Sequence, residues 1–280
     1  MPQARTEDRS TLEDTARRLR HYIVTSTTKA GSGHPSTSLS QVEVMTALYF
    51  GGVLRYDPKN PEDPDRDRFI LSKGHGAPGL YAVLAEAGYF PVEDLMTLRK
   101  LGSPLEGHPN MCRLAGVEAS TGSLGQGLSI GIGHALGAKL DGRDYRVYVM
   151  IGDGESEQGQ IWEGLMFAGN HGLDNLTLIQ DRNRHQQTGA VKDIQPLDPL
   201  ADKLAAFGWE VTEIDGHSLD EVQRAFEWAR GIRGKPQAII SNTTKGKGVS
   251  FLEEREASYH GKPLPPEEEE KALQEIGASL

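Results

Sequence analysis

The chain has 280 residues, 37% hydrophobic and 25% charged, with a formal net charge of −10. That is the balance of a soluble chain long enough for one large core, and its acidity argues against a nucleic-acid or anionic-membrane surface. No apolar run approaches the roughly 20 residues of a membrane helix.

Residues 1–10 read as a disordered lead, and MPQARTEDRSTLED carries no secretory pattern. Leu12, Ala16, Leu19 and Ile23 fall at helical spacing and predict a helix over 12–30, stopped by Gly31. SGHPSTSLS reads as a loop whose Ser and Thr can cap a helix over 41–50. Residues 55–68 are polar and Pro-rich, a surface loop. A short strand over 69–72 runs into Lys73-Gly74-His75-Gly76, and helices follow to Gly88 and over 91–100. The loop 105–116 contains Gly107-His108-Pro109. The lone Cys112 excludes an intrachain disulfide and suits a reducing cytoplasm; with nothing beside it to mark a nucleophile, it reads as structural. The Gly-rich turn 120–127 opens a helix through Ala138. Gly131-Ile132-Gly133 follows no strand and is no dinucleotide fingerprint.

The chain is organised around 146–183. Val147-Tyr148-Val149-Met150-Ile151 reads as a buried strand that breaks at Gly152-Asp153-Gly154. A helix over 159–171 and a strand over 176–179 follow, and the strand delivers Asp181 and Asn183. Open α/β sheets bind ligands at the carboxyl ends of their strands. The two glycines let the backbone turn sharply beside a bulky anion. Asp153 and Asn183 supply hard oxygens, of which Mg2+ needs only one or two beside phosphate and water. The N–H groups of the helix after Gly154 would face the same phosphates. The reading is a Mg2+ (or Ca2+) diphosphate site.

Beyond it come a helix over 199–207, a strand over 209–214, a helix over 219–231 and a strand over 237–241. The loop 243–248, Ser258-Tyr259-His260-Gly261 and an acidic, solvated helix over 265–280 close the chain. The alternation predicts an α/β fold, a mostly parallel sheet with helices on both faces, in one domain over 1–280. His34, His75, His108 and His260 all lie in Gly-flanked loops. Imidazole suits proton transfer and hydroxyl recognition, but spacing alone leaves open whether the four share a site.

GDGESEQGQIWEG followed by LDNLTLIQDRN resembles the thiamine diphosphate motif in its transketolase version, and the resemblance runs over residues 16–263. It implies the thiamine diphosphate-binding fold and the N-terminal subunit of a split transketolase, which moves a two-carbon ketol unit from a ketose to an aldose, phosphorylated or not. The pyrimidine-binding half would be a separate chain in an α2β2 assembly, without which this one catalyses nothing. By the resemblance His75 and His260 contact the diphosphate and the reacting sugar, and His34 and His108 bind donor and acceptor hydroxyls. Gly122 and Leu124 lie against the aminopyrimidine. Gly152, Asp153, Gly154, Glu155 and Asn183 hold the cofactor, with Asp153, Asn183 and the His185 main-chain oxygen as metal ligands and the His185 ring free. Lys245 and Lys247 either add positive charge near the phosphates or are plain solvated lysines.

Gln158 departs from the family, which carries Glu there. Gln keeps the hydrogen bonding and loses the titratable proton, a hint of a specialised branch. Competing readings are a 1-deoxyxylulose-5-phosphate synthase, a 2-oxo acid dehydrogenase α subunit, or a non-catalytic scaffold subunit. The histidine loops favour the transketolase type over the dehydrogenase, and the intact Asp153, Asn183 and four histidines argue against the scaffold.

Overall fold

In the computed structural model, which describes residues 2–255 and 260–277, the chain begins with β1 (Gln3–Thr6), α1 (Arg9–Ala30), α2 (Pro35–Ser40), α3 (Val42–Phe50), β2 (Gly51–Tyr56), β3 (Arg68–Leu71) and α4 (Ala77–Ala87). After a long irregular stretch come α5 (Gln126–Leu140), β4 (Val147–Gly152), α6 (Gly159–Asn170) and β5 (Leu176–Arg182). A small hairpin, β6 (His185–Gln186) and β7 (Gly189–Ala190), leads to α7 (Val191–Ile194), α8 (Leu200–Ala206), β8 (Glu210–Asp215), α9 (Leu219–Gly231) and β9 (Gln237–Asn242). The last helices are α10 (Ser250–Arg255) and α11 (Pro266–Ile276). None of the described helices is long and apolar enough to cross a membrane.

Side chains alternate across a strand, so a strand apolar on both faces needs cover on both. Along β4, Tyr148 and Met150 join a core with Leu19 and Ile23 of α1, Leu48 of α3, Leu84 of α4 and Phe226 of α9. Val147, Val149 and Ile151 join a second core with Leu128 and Ile132 of α5, Leu165 of α6 and Leu204 of α8. The sheet between them is parallel, in the order β3-β4-β5-β9-β8. From β5 the chain passes over β9 to the edge at β8, then returns through α9 to β9. The carboxyl ends of β3, β4, β5 and β9 therefore converge, and that convergence positions the site.

Several expectations are corrected. The lead is ordered from residue 3, because Gln3 and Ala4 pair antiparallel with Tyr56 and Arg55 of β2 and Asp8 caps α1 through Thr11 N–H at 2.8 Å. Part of the expected loop at 55–68 is thus the end of a strand. The segment after Gly33 is helix α2, with Pro35 fixing its first turn, and no hydroxyl caps α3. Residues 92–97 form a 3-10 helix. Cys112 is exposed rather than structural. The acidic tail helix is not merely solvated: Ala272 and Ile276 are buried in the core that also holds α1. Ser258, Tyr259 and 278–280, parts of the expected loop and tail, lie outside the described residues.

Candidate active site

The converging strand ends line a cleft of about 430 Å3. His34, His75, His108 and His260 all face it, although the first and last are 226 positions apart in the sequence. Three of the rings form a triangle, with centroids 5.2 Å apart for His34–His75, 5.3 Å for His34–His260 and 5.5 Å for His75–His260. Burial holds all of them in the neutral form. It brings the His34 pKa down to about 4, helped by His260 and Arg99, and that of His260 to about 4, helped by Lys245 and Lys73. His75 lies well below the usual value through burial and then Lys73, and His108 is lowered by burial and Arg99. His34 Nδ1 is buried without a hydrogen-bond partner among the described residues.

At the other end Asp153 follows directly on β4 and is 1% exposed. Gln180 Nε2 donates to its Oδ1 at 2.9 Å and the Arg184 backbone N–H donates to Oδ2. No lysine or arginine side chain bonds to it among the described residues, and burial pushes its pKa up to about 7. Asn183 lies beside it, its Oδ1 accepting from His185 N–H at 3.1 Å. The His185 ring is not free as expected, since Nδ1 lies 2.9 Å from the Asn183 carbonyl oxygen.

The Gly-Asp-Gly break does not work as the sequence suggested. Neither glycine takes a positive φ. What Gly154 provides is space, because a Cβ there would lie 2.8 Å from the Cβ of Gln186. The helix begins at Gly159, as the sequence predicts, and a 3-10 turn over Gly154–Glu157 separates it from the break. Glu155 is the cause. Its 2% exposed carboxylate turns inward to accept from Ser72 Oγ, from Gly125 N–H at 2.8 Å and from Gly152 N–H at 3.2 Å, tying three loops together. Gly122 and Leu124 line the cleft, and the Leu124 carbonyl accepts from Gln160 at 2.9 Å. Lys245 is 2% exposed, with Nζ 3.2 Å from His260 Nδ1, whereas Lys247 faces Glu253 at 3.8 Å away from the cleft.

Asp181 is withdrawn from the cleft. Its carboxylate is engaged by Lys73 Nζ and by the hydroxyls of Ser40 (2.7 Å) and Thr243. Burial works against its ionisation, but Lys73 and the hydroxyls outweigh that and keep it below the usual carboxylate range.

The profile of the family described as "Transketolase, thiamine diphosphate binding domain" matches residues 11–279. The chain belongs to that family. It is 48% identical over 256 residues to the 6-deoxy-6-sulfo-D-fructose transketolase subunit SqwG of Clostridium sp. (strain MSTE9), covering 91% of this chain and 93% of that subunit. With one of the named subunits of apulose-4-phosphate transketolase from Phocaeicola vulgatus it shares 41% identity over 96% of this chain and 95% of the relative. Human transketolase is 45% identical, but the chain spans only 42% of its length. The crystal structure of transketolase from Campylobacter jejuni superposes with a TM-score of 0.91 at 35% identity, covering 98% of this chain and 44% of that one.

For a member of the transketolase family, sequence reasoning gave too little weight to Lys73 and Thr37, both of which line the cleft. Lys73 Nζ donates to Thr37 Oγ1 at 3.0 Å and to the Thr37 carbonyl at 3.1 Å. The signal was present: Lys73 directly follows a strand and stands two residues before His75. Gln186 and Gln187, also in the lining, had none.

Proposed function

We propose that this chain is the cofactor-binding subunit of a two-component transketolase, carrying a two-carbon ketol unit from a ketose to an aldose together with a separate pyrimidine-domain chain, and that residues 1–280 act as one unit in it. The observation that supports this best is the convergence, at the carboxyl ends of four parallel strands, of a buried carboxylate to which no cationic side chain bonds among the described residues with a triangle of neutral imidazoles. The near-complete coverage of two relatives that are themselves named as subunits supports the two-component form.

The residues present fit the cofactor and a divalent cation. Asp153, the Asn183 amide oxygen and the His185 carbonyl are hard oxygen donors, and too few to make a full cage, which suits an ion that arrives with phosphate oxygens and water. Among the described residues no group of three or more His, Cys, Asp or Glu could hold a metal by itself. Lys245, His75 and His260 face the other end and suit the diphosphate. Thiamine diphosphate, when bound, supplies the nucleophilic carbon and electron sink for breaking and making the carbon–carbon bond. The protein's own part is binding, orientation and proton movement. A neutral imidazole donates one N–H and accepts one proton, so His34 and His108 can hold a sugar hydroxyl and receive its proton. An anion brought beside these rings raises their proton affinity, because opposite charge favours the protonated form. In the cytoplasm the metal would be Mg2+, with Ca2+ as a substitute of the same hard-oxygen class.

The test is a ketol-transfer assay of this chain with the product of its neighbouring reading frame, thiamine diphosphate and Mg2+, against a panel of ketoses and aldoses. Activity is expected in the mixture only. Turnover by the chain alone would refute the two-component form, and cofactor binding without transfer by the mixture would favour another thiamine chemistry.

A further inference from the structure

Behind the cleft, among residues that do not line it, runs a chain of hydrogen-bonded polar and charged groups to which the proposed function gives no task. On α1, Arg20 donates through Nη2 to Glu43 Oε1 of α3, and through Nε to the Lys247 carbonyl at 3.1 Å. The second carboxylate oxygen, Glu43 Oε2, lies 3.0 Å from Nδ1 of His217, in the turn after β8. The far ring nitrogen, Nε2, accepts the Thr244 backbone N–H at 2.8 Å. A backbone amide only donates, so Nε2 carries no proton, and the ring proton sits on Nδ1 facing the carboxylate. Arg20 and Glu43 are both buried. Burial disfavours the Glu43 carboxylate, but Arg20 and His217 outweigh it and hold the group below its usual range.

Thr244 immediately precedes Lys245, whose ammonium meets His260. The 243–248 loop is fitted to this chain of groups. Gly248 takes a φ of +92°, and a Cβ there would lie 2.8 Å from Arg20 Nε. Gly246 N–H donates to the Ser36 carbonyl at 2.8 Å. A loop held at both Thr244 and Lys247 has little freedom to move the residue between them.

We propose that Arg20, Glu43 and His217 are positioning residues, a relay that fixes the Thr244 amide and thereby holds Lys245 against His260 in the cleft wall. The anion that Lys245 would meet is the cofactor diphosphate, and that part alone rests on the proposed function. Because an arginine and two further side chains from three separate elements are engaged, the relay couples α1 and α3 to a loop more than 200 positions away in sequence from Arg20.

Glu43→Gln tests this with almost no change of shape. Its amide N–H must face either Arg20, which only donates, or His217. The latter drives the ring proton to Nε2 and sets it against the Thr244 N–H. His217→Gln keeps an acceptor near the Nε2 position, whereas His217→Asn keeps a donor near Nδ1 and removes that acceptor. In the full-length chain without ligand, NMR of backbone amides and histidine rings should show faster Thr244 exchange in Glu43→Gln and His217→Asn. In both, His260 should titrate nearer to the ordinary histidine value as Lys245 moves off, while His217→Gln stays close to wild type. With thiamine diphosphate and Mg2+, the calorimetric Kd should rise about ten- to a hundredfold in the first two variants, the range for outer-shell partners. If neither the wild-type chain nor its mixture with the second subunit binds thiamine diphosphate, the functional reading fails and the ligand-free NMR still decides the relay. Unchanged Thr244 exchange and His260 titration in Glu43→Gln, equal behaviour of the two His217 variants, or exchange loosened uniformly through α1 and α3 would each overturn it.

Discussion

The two ends of the cleft hold charge by opposite means. At the carboxylate end Asp153 is fixed by Gln180 and a backbone N–H, with no cationic side chain bonded to it among the described residues, and burial raises its pKa to about 7. At the imidazole end three rings stand within 5.5 Å of one another beside Lys73 and Lys245, and burial and those ammonium groups keep them uncharged. On the proposed function, a bound metal diphosphate would set its cation beside the Asp153 carboxylate and its anionic oxygens beside the imidazoles and Lys245. Burial that looks costly in the bare chain is therefore a form of preorganisation.

The comparison breaks hardest at its acid end. For Asp153→Ala, ketol transfer with the partner subunit should fall by more than about a hundredfold, beyond the range for outer-shell positions; activity near wild type would show that Asp153 holds no metal. Next, chelation of divalent ions should abolish thiamine diphosphate binding in equilibrium dialysis, and Mg2+ should restore it. Binding that survives chelation would leave the carboxylate end without its expected role. At the imidazole end, His34→Asn should lower kcat about a hundredfold, the low end for a lost proton-transfer group, and leave the cofactor Kd unchanged. A weakened Kd would merge the two ends into one binding unit.

The smallest effect is on stability. His34 and His260 titrate at about 4 in the fold against roughly 6.5 in the unfolded chain. Between those values the unfolded state binds more protons, so stability falls as the pH drops through that window. Denaturation midpoints across it should decline less steeply in His34→Gln than in wild type, and parallel curves would mean that His34 is not held neutral.

Legibility in the sequence followed the range of the interactions. Strands β4, β5 and β9, with Asp153 and Asn183 just past the ends of two of them, could be read because a buried parallel strand is a continuous apolar run, whereas the four histidines were marked only by their Gly-flanked loops and by the family resemblance. Helix α2 could not, since Ser38 and Ser40 satisfy their hydroxyls on the His34 and Thr37 carbonyls at 2.8 and 2.9 Å, and Ser40 also on Asp181 far along the chain. Strand β2 was hidden because Gly51-Gly52-Val53-Leu54 continues the apolar run of α3 and its partner is the residue 3–6 segment. The role of Asp181 was also hidden, because Lys73, its ion-pair partner, lies 108 residues earlier. His217 has no local signal at all; only the packing of α3 against its turn gives the ring a carboxylate.

The 57–67 connector has a different use. It enters β3 at the amino end of the sheet, opposite the cleft, and Lys59, Asn60 and Glu62 at its tip are exposed. Its base is pinned by Arg55 to Asp67 and by Arg66 to Glu118. An exposed tip on a fixed base is where chains tolerate insertions, so a fluorophore or affinity handle can be carried there to report assembly with the second subunit while the catalytic face stays untouched.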